Sequence, residues 1–240
     1  MLNLGDIYTR VLEILNKDQY GAYVTPYNFN NTISWVNIIK MNELLKVFEE
    51  KREISRDLQP FIITLGSPDY PAINLDTYGY GEYPEDYYYF ARSSYMQYLN
   101  HCGGFSSNAR MVQFIDQQDF NYRISTELLA PTMDNPIAVD ENDKFLVRPL
   151  GIQSVAFTYV KNPTNPYFDY DLIDGVVVYL PPNEPHVNSS VLPVGTISES
   201  VEFEYPLPVY NDLANLIIQD FSKKIRSEFT LQTSPTTQGQ

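Results

Sequence analysis

The alternation of apolar and polar residues over 145–163 predicts two β-strands separated by a break at Pro149 and Gly151. One face of the second strand carries Val155, Phe157 and Tyr159, and the other carries Ala156, Thr158 and Val160. Because both faces can pack, this segment suits an interior strand of a sheet. Pro163 cannot donate a ladder hydrogen bond and disfavours helix at the residue before it, so the strand should end there.

Helical periodicity marks both ends of the chain. Apolar residues at helical spacing predict a short amphipathic helix over roughly residues 1–16. Thr25 and Pro26 form a capping hydroxyl followed by a proline, which predicts a second helix running to about Glu50. Pro208 begins a final helix, whose acidic first turn and basic last turn match the helix dipole.

The middle of the chain is patterned mostly for β-structure. Strands are predicted over 58–65, 87–98, 109–116, 136–139, 144–147, 155–160, 176–180 and 198–205. A short helix is expected over 118–129, and the acidic turn at 140–143 joins two strands into a hairpin. The irregular stretch 66–86 is long for a loop, which is typical of functional or interface segments, and 162–174 also reads as a loop.

Together these elements predict an α+β protein, with N-terminal helices and a C-terminal helix flanking a mostly antiparallel β-rich middle. We expect a single domain over 1–231, helical at 1–58 and 206–229 and β-rich at 59–205. Residues 232–240 are expected to form a disordered tail.

Composition narrows the possible functions. A chain of 240 residues can bury a large core, and its net charge of −14 argues against a surface that grips nucleic acid or an anionic membrane. No apolar run long enough for a transmembrane helix and no signal peptide is apparent. The 20 tyrosines suit half-buried β surfaces and protein interfaces, although they can equally reflect the overall composition of the source organism.

The residues that usually carry catalysis or bind metals form no convergent pattern. The single cysteine, Cys102, follows His101, but adjacent side chains point apart, so a structural thiol is expected. His186, the other histidine, lies in a proline-rich loop. The acidic candidates are Asp140, Glu141, Asp143, Asp169, Asp171 and Asp174. They lack the spacing of a calcium loop and are predicted to be solvated turns. We therefore predict no catalytic residue, cofactor or metal site.

Several phrases resemble, in sequential order, the head-to-tail connector proteins of tailed bacteriophages, in particular those of crAss-like phages. The phrases are LNKDQYG at 15–21, TPYNFN at 25–30, DLQPF at 57–61, ELLAP at 127–131, NPIA at 135–138, RP at 148–149, VAFTYVKNP at 155–163 and SESVEF at 198–203. They span most of residues 7–229.

The resemblance implies a non-enzymatic virion protein that forms a ring, usually of about twelve copies, below the portal. Such a ring extends the DNA channel and docks the next ring of the neck or tail. The implied partners are further copies of the chain, the portal protein and neighbouring ring proteins. Packaged DNA would pass without specific binding, since like charges repel. The terminal helices would build the ring body, and assembly in the host cytoplasm is expected.

Interface residues are expected on the loops and the tail, and the stretch 66–86 and the tail would order on assembly. The nominated residues are Tyr70, Tyr78, Tyr80, Tyr83, Tyr167, Phe168, Tyr170 and Leu231. Other functions stay open: a different ring or hub protein of the tail, a carbohydrate-binding module, or a hydrolase with a carboxylate pair.

Overall fold

A computed structural model describes residues 3–17, 24–51, 55–68, 70–101, 104–187 and 192–233. Within these residues the helices are Leu4–Lys17 (α1), Pro26–Lys51 (α2), Gln117–Ser125 (α3) and Leu207–Thr233 (α4). The strands are Ile62–Leu65 (β1), Ile73–Asn74 (β2), Tyr80–Glu82 (β3), Tyr87–His101 (β4), Gly104–Met111 (β5), Gln113–Ile115 (β6), Ile137–Glu141 (β7), Lys144–Arg148 (β8), Ser154–Lys161 (β9), Tyr170–Ile173 (β10) and Val176–Tyr179 (β11). The predicted α+β class is confirmed.

The chain divides into two compact units. The helical unit comprises Met1–Pro60 and Pro163–Gln240, and the β unit comprises Phe61–Asn162, inserted between them. The predicted single domain placed its β-rich part more widely, at 59–205, and it stays a prediction.

In the helical unit, α4 packs against both α1 and α2. The predicted start of α2 is confirmed, since the Thr25 hydroxyl accepts a hydrogen bond from the Asn28 backbone N–H at 3.2 Å. A buried apolar stripe on each helix forms the core, from residues such as Val11, Ile33 and Leu213.

An aromatic cluster connects the helices to the chain that follows the insertion. The ring centroids of Tyr8 and Phe29 lie 5.0 Å apart, and Phe168 lies within 5.2 Å of both. The side chain of Asn30 holds Phe168 further by accepting from its N–H and donating to its carbonyl, at 2.7 and 3.0 Å. Beyond this point β10 and β11 form an antiparallel hairpin.

The β unit contains two sheets. One has the order β1–β9–β4–β5, with β2 also paired to β9, and the other has the order β3–β8–β7–β6. All pairings among the described strands are antiparallel except that of β6 with β7. The predicted interior strand is confirmed, because β9 pairs with β1 and β2 on one side and with β4 on the other.

Aromatic side chains fill the space between the two sheets. Phe145 of β8 stacks on Phe157 of β9 with centroids 5.5 Å apart, and Tyr83 stacks on Tyr87 at 4.3 Å. On the outer face of the four-stranded sheet, Phe120 of α3 packs against Ile137, Val139 and Leu146. The alternation of side chains along β7 and β8 therefore supports a core on each face.

Several predicted elements differ from the structure. The predicted irregular stretch 66–86 contains strands β2 and β3. Residues 198–205 do not form a continuous strand, because only the isolated bridge of Val201 with Tyr167 pairs them. Part of the predicted loop 162–174 is strand β10. The predicted strand 109–116 is split between β5 and β6, and β5 begins earlier, at Gly104.

Candidate interaction surfaces

Three of the tyrosines nominated for an interface are exposed. Tyr78 is 70% exposed, and Tyr70 and Tyr167 are exposed to a lesser extent. Tyr80 and Tyr170 are half-buried. Tyr83 is also half-buried, and it packs against the core of the β unit. Burial, together with the nearby Asp140 carboxylate, raises the pKa of Tyr83, so it stays a neutral hydroxyl.

Phe168 requires a correction. Its side chain is fully buried among Tyr8 and Phe29, so it belongs to the core of the helical unit and not to an exposed loop. Leu231 lies in α4, and its side chain is outside the described part of the chain. The predicted tail has two residues, 232 and 233, in α4, and residues 234–240 lie outside the description.

One face of α2 exposes aromatic and aliphatic side chains without any charge among them. Tyr27, Trp35 and Ile38 are 74%, 57% and 48% exposed. Together with the exposed Asn31 they follow helical spacing, so they share one face of the first three turns. We call these four residues the Trp35 face. Trp is the residue type most enriched at binding hot spots, and exposed apolar patches of this kind mark interaction sites.

The β unit carries a second surface without charged side chains, a groove with a volume of about 330 Å³. Its lining residues, all uncharged, are Tyr95, Met96, Met133, Gly151, Ile152, Gln153 and Ser154. The Tyr95 hydroxyl donates to the Met133 carbonyl, and Arg110 pairs with Asp134 at 2.9 Å, so the loop that carries Met133 is fixed to the neighbouring strands. We call this the methionine groove.

A two-stranded ribbon begins beside this groove. Strand β4 pairs with β9 as far as Ser94 and Ala156, and beyond that point its described partner is β5 alone. Pairing with β5 continues from Tyr95 and Arg110 to His101 and Gly104. The ribbon, defined as residues 95–101 and 104–110, therefore extends past the sheet with strand edges that pair with nothing else in the described chain.

The helical unit contains a buried cluster of three ionisable side chains. The His186 imidazole lies between Asp171, at 2.6 Å from Nδ1, and Asp169, at 3.1 Å from Nε2. All three residues are buried. Backbone N–H groups donate further hydrogen bonds to the two carboxylates. The N–H of Val187 donates to Asp171, and the N–H groups of Tyr170 and Glu199 donate to Asp169.

The geometry of the cluster favours an imidazolium ion. Both ring nitrogens face carboxylate oxygens, and the hydrogen bond to Asp171 is the main cause that raises the pKa of His186, with Asp169 adding to it against the effect of burial. A ring that donates from both nitrogens has no lone pair for a metal or for general-base catalysis. The cluster therefore serves to hold hairpin β10–β11 and the segment around residue 186 together.

The cluster overturns the prediction that Asp169 and Asp171 lie in solvated turns. Sequence reasoning placed them in an exposed loop because their partner, His186, is distant along the chain. The available signal was the alternation of Asp169 and Asp171, which places both carboxylates on one side of an extended segment. Asp143 does lie in the exposed turn between β7 and β8, as predicted, whereas Asp140 is an exposed residue of β7 itself.

No group of three His, Cys, Asp or Glu side chains in the described ranges is arranged to hold a metal ion. Cys102 and the side chain of His101 lie outside the described residues, so the predicted structural thiol stays a prediction. None of the helices that the structure describes is apolar enough over a sufficient length to cross a membrane.

Comparison with models of protein families gives no match to this chain, and comparison with curated proteins finds no similar sequence.

Proposed function

We propose that this chain is a structural protein of a tailed-phage virion, which forms one ring of the head-to-tail connector. The ring would extend the DNA channel below the portal and dock the tail. Its partners would be further copies of itself, the portal protein and the neighbouring ring proteins. This proposal rests first on the ordered phrases over 7–229 that resemble connector proteins.

The structural observation that carries the proposal is the Trp35 face. A monomer that works alone gains nothing by exposing Trp35, Tyr27 and Ile38 on one helix, since burying each of them stabilises by roughly 1.5–3 kcal/mol. Covering them with a partner recovers that free energy. A ring subunit needs such a surface, because head-to-tail contacts must be made on two different faces of every copy.

The charge of the chain fits the same role. At a net charge of −14, copies repel one another wherever charged surfaces meet, so neutral surfaces such as the Trp35 face are favoured for contact. The acidic remainder would repel the phosphates of packaged DNA, which allows DNA to pass through a channel without adhering to it.

The decisive experiment is a symmetry-averaged cryo-EM map of the virion neck of the phage that encodes this chain, combined with mass spectrometry of the purified virion. We expect the chain in stoichiometric amounts, traced as a closed ring around the channel. Absence of the polypeptide from the virion would contradict the proposal. If the chain is traced into density elsewhere in the tail, its proposed role changes from a connector ring to a hub or a lower ring.

A pair of variants tests the Trp35 face directly. We expect Trp35→Asp to unfold at nearly the same denaturant concentration as the wild type, since the side chain is exposed, but to be lost from virions in a complementation assay. Lys46→Ala, an exposed change farther along α2, is the matched control and should be incorporated normally. Normal incorporation of Trp35→Asp into virions would show that the Trp35 face is not part of the interface.

A further inference from the structure

One face of the hairpin β10–β11 is apolar and exposed near the turn. Ile173 pairs with Val176 beside the turn, and the next pair on the same face joins Asp171 to Val178. Asp171 is buried in contact with His186. The other three side chains are exposed, Val176 the most, at 62%. We call Ile173, Val176 and Val178 the hairpin face. Sheet faces normally bury such β-branched side chains, so the hairpin face indicates a surface that a partner covers.

The outer edge of β11 is unprotected as well. Among the described strands, β11 pairs with β10 alone. Hydrogen-bonded and non-hydrogen-bonded pairs alternate from the closing pair Ile173–Val176, so the N–H and C=O of Val177 point away from β10. These two groups have no hydrogen-bond partner within the described residues. Proteins usually protect such an edge with lysine, proline or a bulge, and β11 has none of them. The edge can therefore accept a further strand.

The charge around the hairpin is strongly negative. Residues 162–222, which include the hairpin, contain nine Asp and Glu side chains and no Lys or Arg. Asp174 lies in the hairpin turn, and the N–H of Glu199 donates to Asp169, directly before β10. The side chains of Asp174 and Glu199 are both exposed, and neither has an ion-pair partner in the part of the chain that the structure describes. Lysine or arginine on a docking segment would offset this charge.

We propose that β11 pairs with an extended segment of a different protein, in which apolar side chains alternate with lysine or arginine. The backbone of that segment bonds to the free edge at Val177. Its apolar side chains cover the hairpin face, and its basic side chains neutralise Asp174 and Glu199. This inference rests on the proposed connector, and it names the chemistry by which one neighbouring protein is recognised.

A second copy of the chain fits this edge poorly. Pairing of β11 with β11 of another copy would bring two acidic stretches together, and like charges repel. The densest basic run of the chain, at 223–226, lies in helix α4 and is therefore not extended. Copies of the chain can meet through the neutral Trp35 face instead, which leaves the hairpin for a partner of opposite charge.

A pair of peptides tests the chemistry. The probe is the synthetic peptide KVRVKVR, and its matched control is EVEVEVE, which has the same apolar positions. Hydrogen exchange of the full-length protein should become slower in peptides covering 176–180 when KVRVKVR is added. Fluorescence anisotropy should show that KVRVKVR binds at least about tenfold more tightly than EVEVEVE, with an affinity that falls as salt rises. No protection of 176–180, or equal protection by both peptides, would overturn the inference.

A matched pair of variants locates the contact. Val176→Lys places a charge on the hairpin face, and Leu128→Lys makes the same change at a 96% exposed site of the β unit. Both variants should keep the thermal unfolding of the wild type, because both side chains are exposed. We expect Val176→Lys to weaken binding of KVRVKVR at least about tenfold, since an edge lysine prevents strand addition. Equal effects of the two variants would overturn the assignment to β11.

The acidic rim is tested without altering the turn. Asp174 and Gly175 both have positive φ, and Asn-Gly favours this turn as strongly as Asp-Gly, so Asp174→Asn should fold normally. We expect it to bind KVRVKVR roughly threefold more weakly, with a smaller salt dependence. Asp143→Asn, in the exposed turn of the β unit, is the control and should bind as the wild type does. Unchanged salt dependence in Asp174→Asn would contradict a role of the rim.

The partner itself is identified in virions. The photoreactive residue p-benzoylphenylalanine replaces Val176 in the full-length chain, and irradiated virions are analysed by peptide mass spectrometry. We expect a cross-link to a lysine- or arginine-rich segment of another virion protein. A cross-link to a further copy of this chain, or none in virions that contain the variant, would overturn the inference while leaving the proposed ring intact. If the wild-type chain is absent from virions, the proposed function fails, and the peptide experiment alone decides the β11 contact.

Discussion

The two units differ in the polar groups that they bury beside their apolar cores. The core of the β unit is a stack of aromatic rings between two sheets, with Phe157 in contact with rings from both. The helical unit also has an apolar core, but it buries the hydrogen-bonded cluster of His186, Asp169 and Asp171 as well. The hydrophobic effect that favours burial of the rings is non-directional and is distributed over many contacts, whereas a buried ionic cluster depends on each of its members.

The largest effect is expected from the aromatic core of the β unit. Phe157→Ala removes a fully buried ring and leaves a cavity, which should lower the free energy of unfolding by about 3–5 kcal/mol. Hydrogen exchange followed by mass spectrometry should show faster exchange in peptides from 61–162. Tyr78→Ala, at a 70% exposed site of the same unit, is the control and should change stability by less than about 0.5 kcal/mol. Equal effects of the two variants would contradict the described core.

The next effect tests the ionic cluster. His186→Ala leaves the carboxylates of Asp169 and Asp171 buried without their counter-ion, which should cost about 3 kcal/mol. Exchange should increase in peptides covering 163–206 before it increases in the β unit. Val187→Ala changes the adjacent, exposed side chain and should have little effect.

A second substitution sharpens this result. Adding Asp171→Asn to His186→Ala removes one of the two orphaned charges, so the double variant should be more stable than His186→Ala alone. A double variant whose loss equals the sum of the two single losses would show that the three residues do not act as a coupled cluster.

The pH dependence of the free energy of unfolding should report on the His186 cluster of the helical unit. The pKa of His186 is raised above its ordinary value of 6.5, so the folded state binds this proton more tightly than the unfolded chain does. The contribution of the cluster is therefore complete below pH 6.5 and declines as the pH rises through the raised pKa. Urea unfolding of the wild type and of His186→Gln, compared from pH 6 upward, should show a difference that narrows with increasing pH. A constant difference would contradict a protonated His186.

The smallest effect is expected at an exposed ion pair of the β unit. Lys144 on β8 and Glu82 on β3 lie 2.8 Å apart, and the hydrogen bond between them lowers the pKa of Glu82. Because water and salt screen such a pair, Lys144→Met should leave the thermal midpoint within the scatter of repeated scans. A clear loss of stability that disappears in 1 M salt would show that this pair matters more than its exposure suggests.

Local signals in the sequence predicted most of the fold. The Thr25 cap, the apolar periods of α1, α2 and α4, and the turn between β7 and β8 each depend on residues that are close along the chain. The two faces of 155–160 indicated an interior strand, and β9 occupies that position. Such features follow from helix capping, side-chain periodicity and turn chemistry, which need no knowledge of distant partners.

The parts that were missed depend on distant partners. Phe168 reads as an exposed aromatic in a proline-rich loop until Tyr8 and Phe29 are known to enclose it. Ser198 and Ser200 lie in the predicted strand 198–205, yet they belong to an irregular segment in which both are buried and donate to the Leu180 carbonyl. The Trp35 face could not be predicted for a different reason. Because α2 has apolar residues on both faces, periodicity alone does not tell which face stays exposed.

The pairing of the first and last strands of the β unit bears on how the sequence of such a chain can evolve. Ile62 of β1 and Val160 of β9 are paired neighbours, so the insertion leaves the helical unit and returns to it at almost the same point. A segment with adjacent ends can be lengthened, exchanged or grafted as a cassette without moving the two ends of the host that receive it. The helical unit could thus keep one set of contacts while the inserted cassette diversifies.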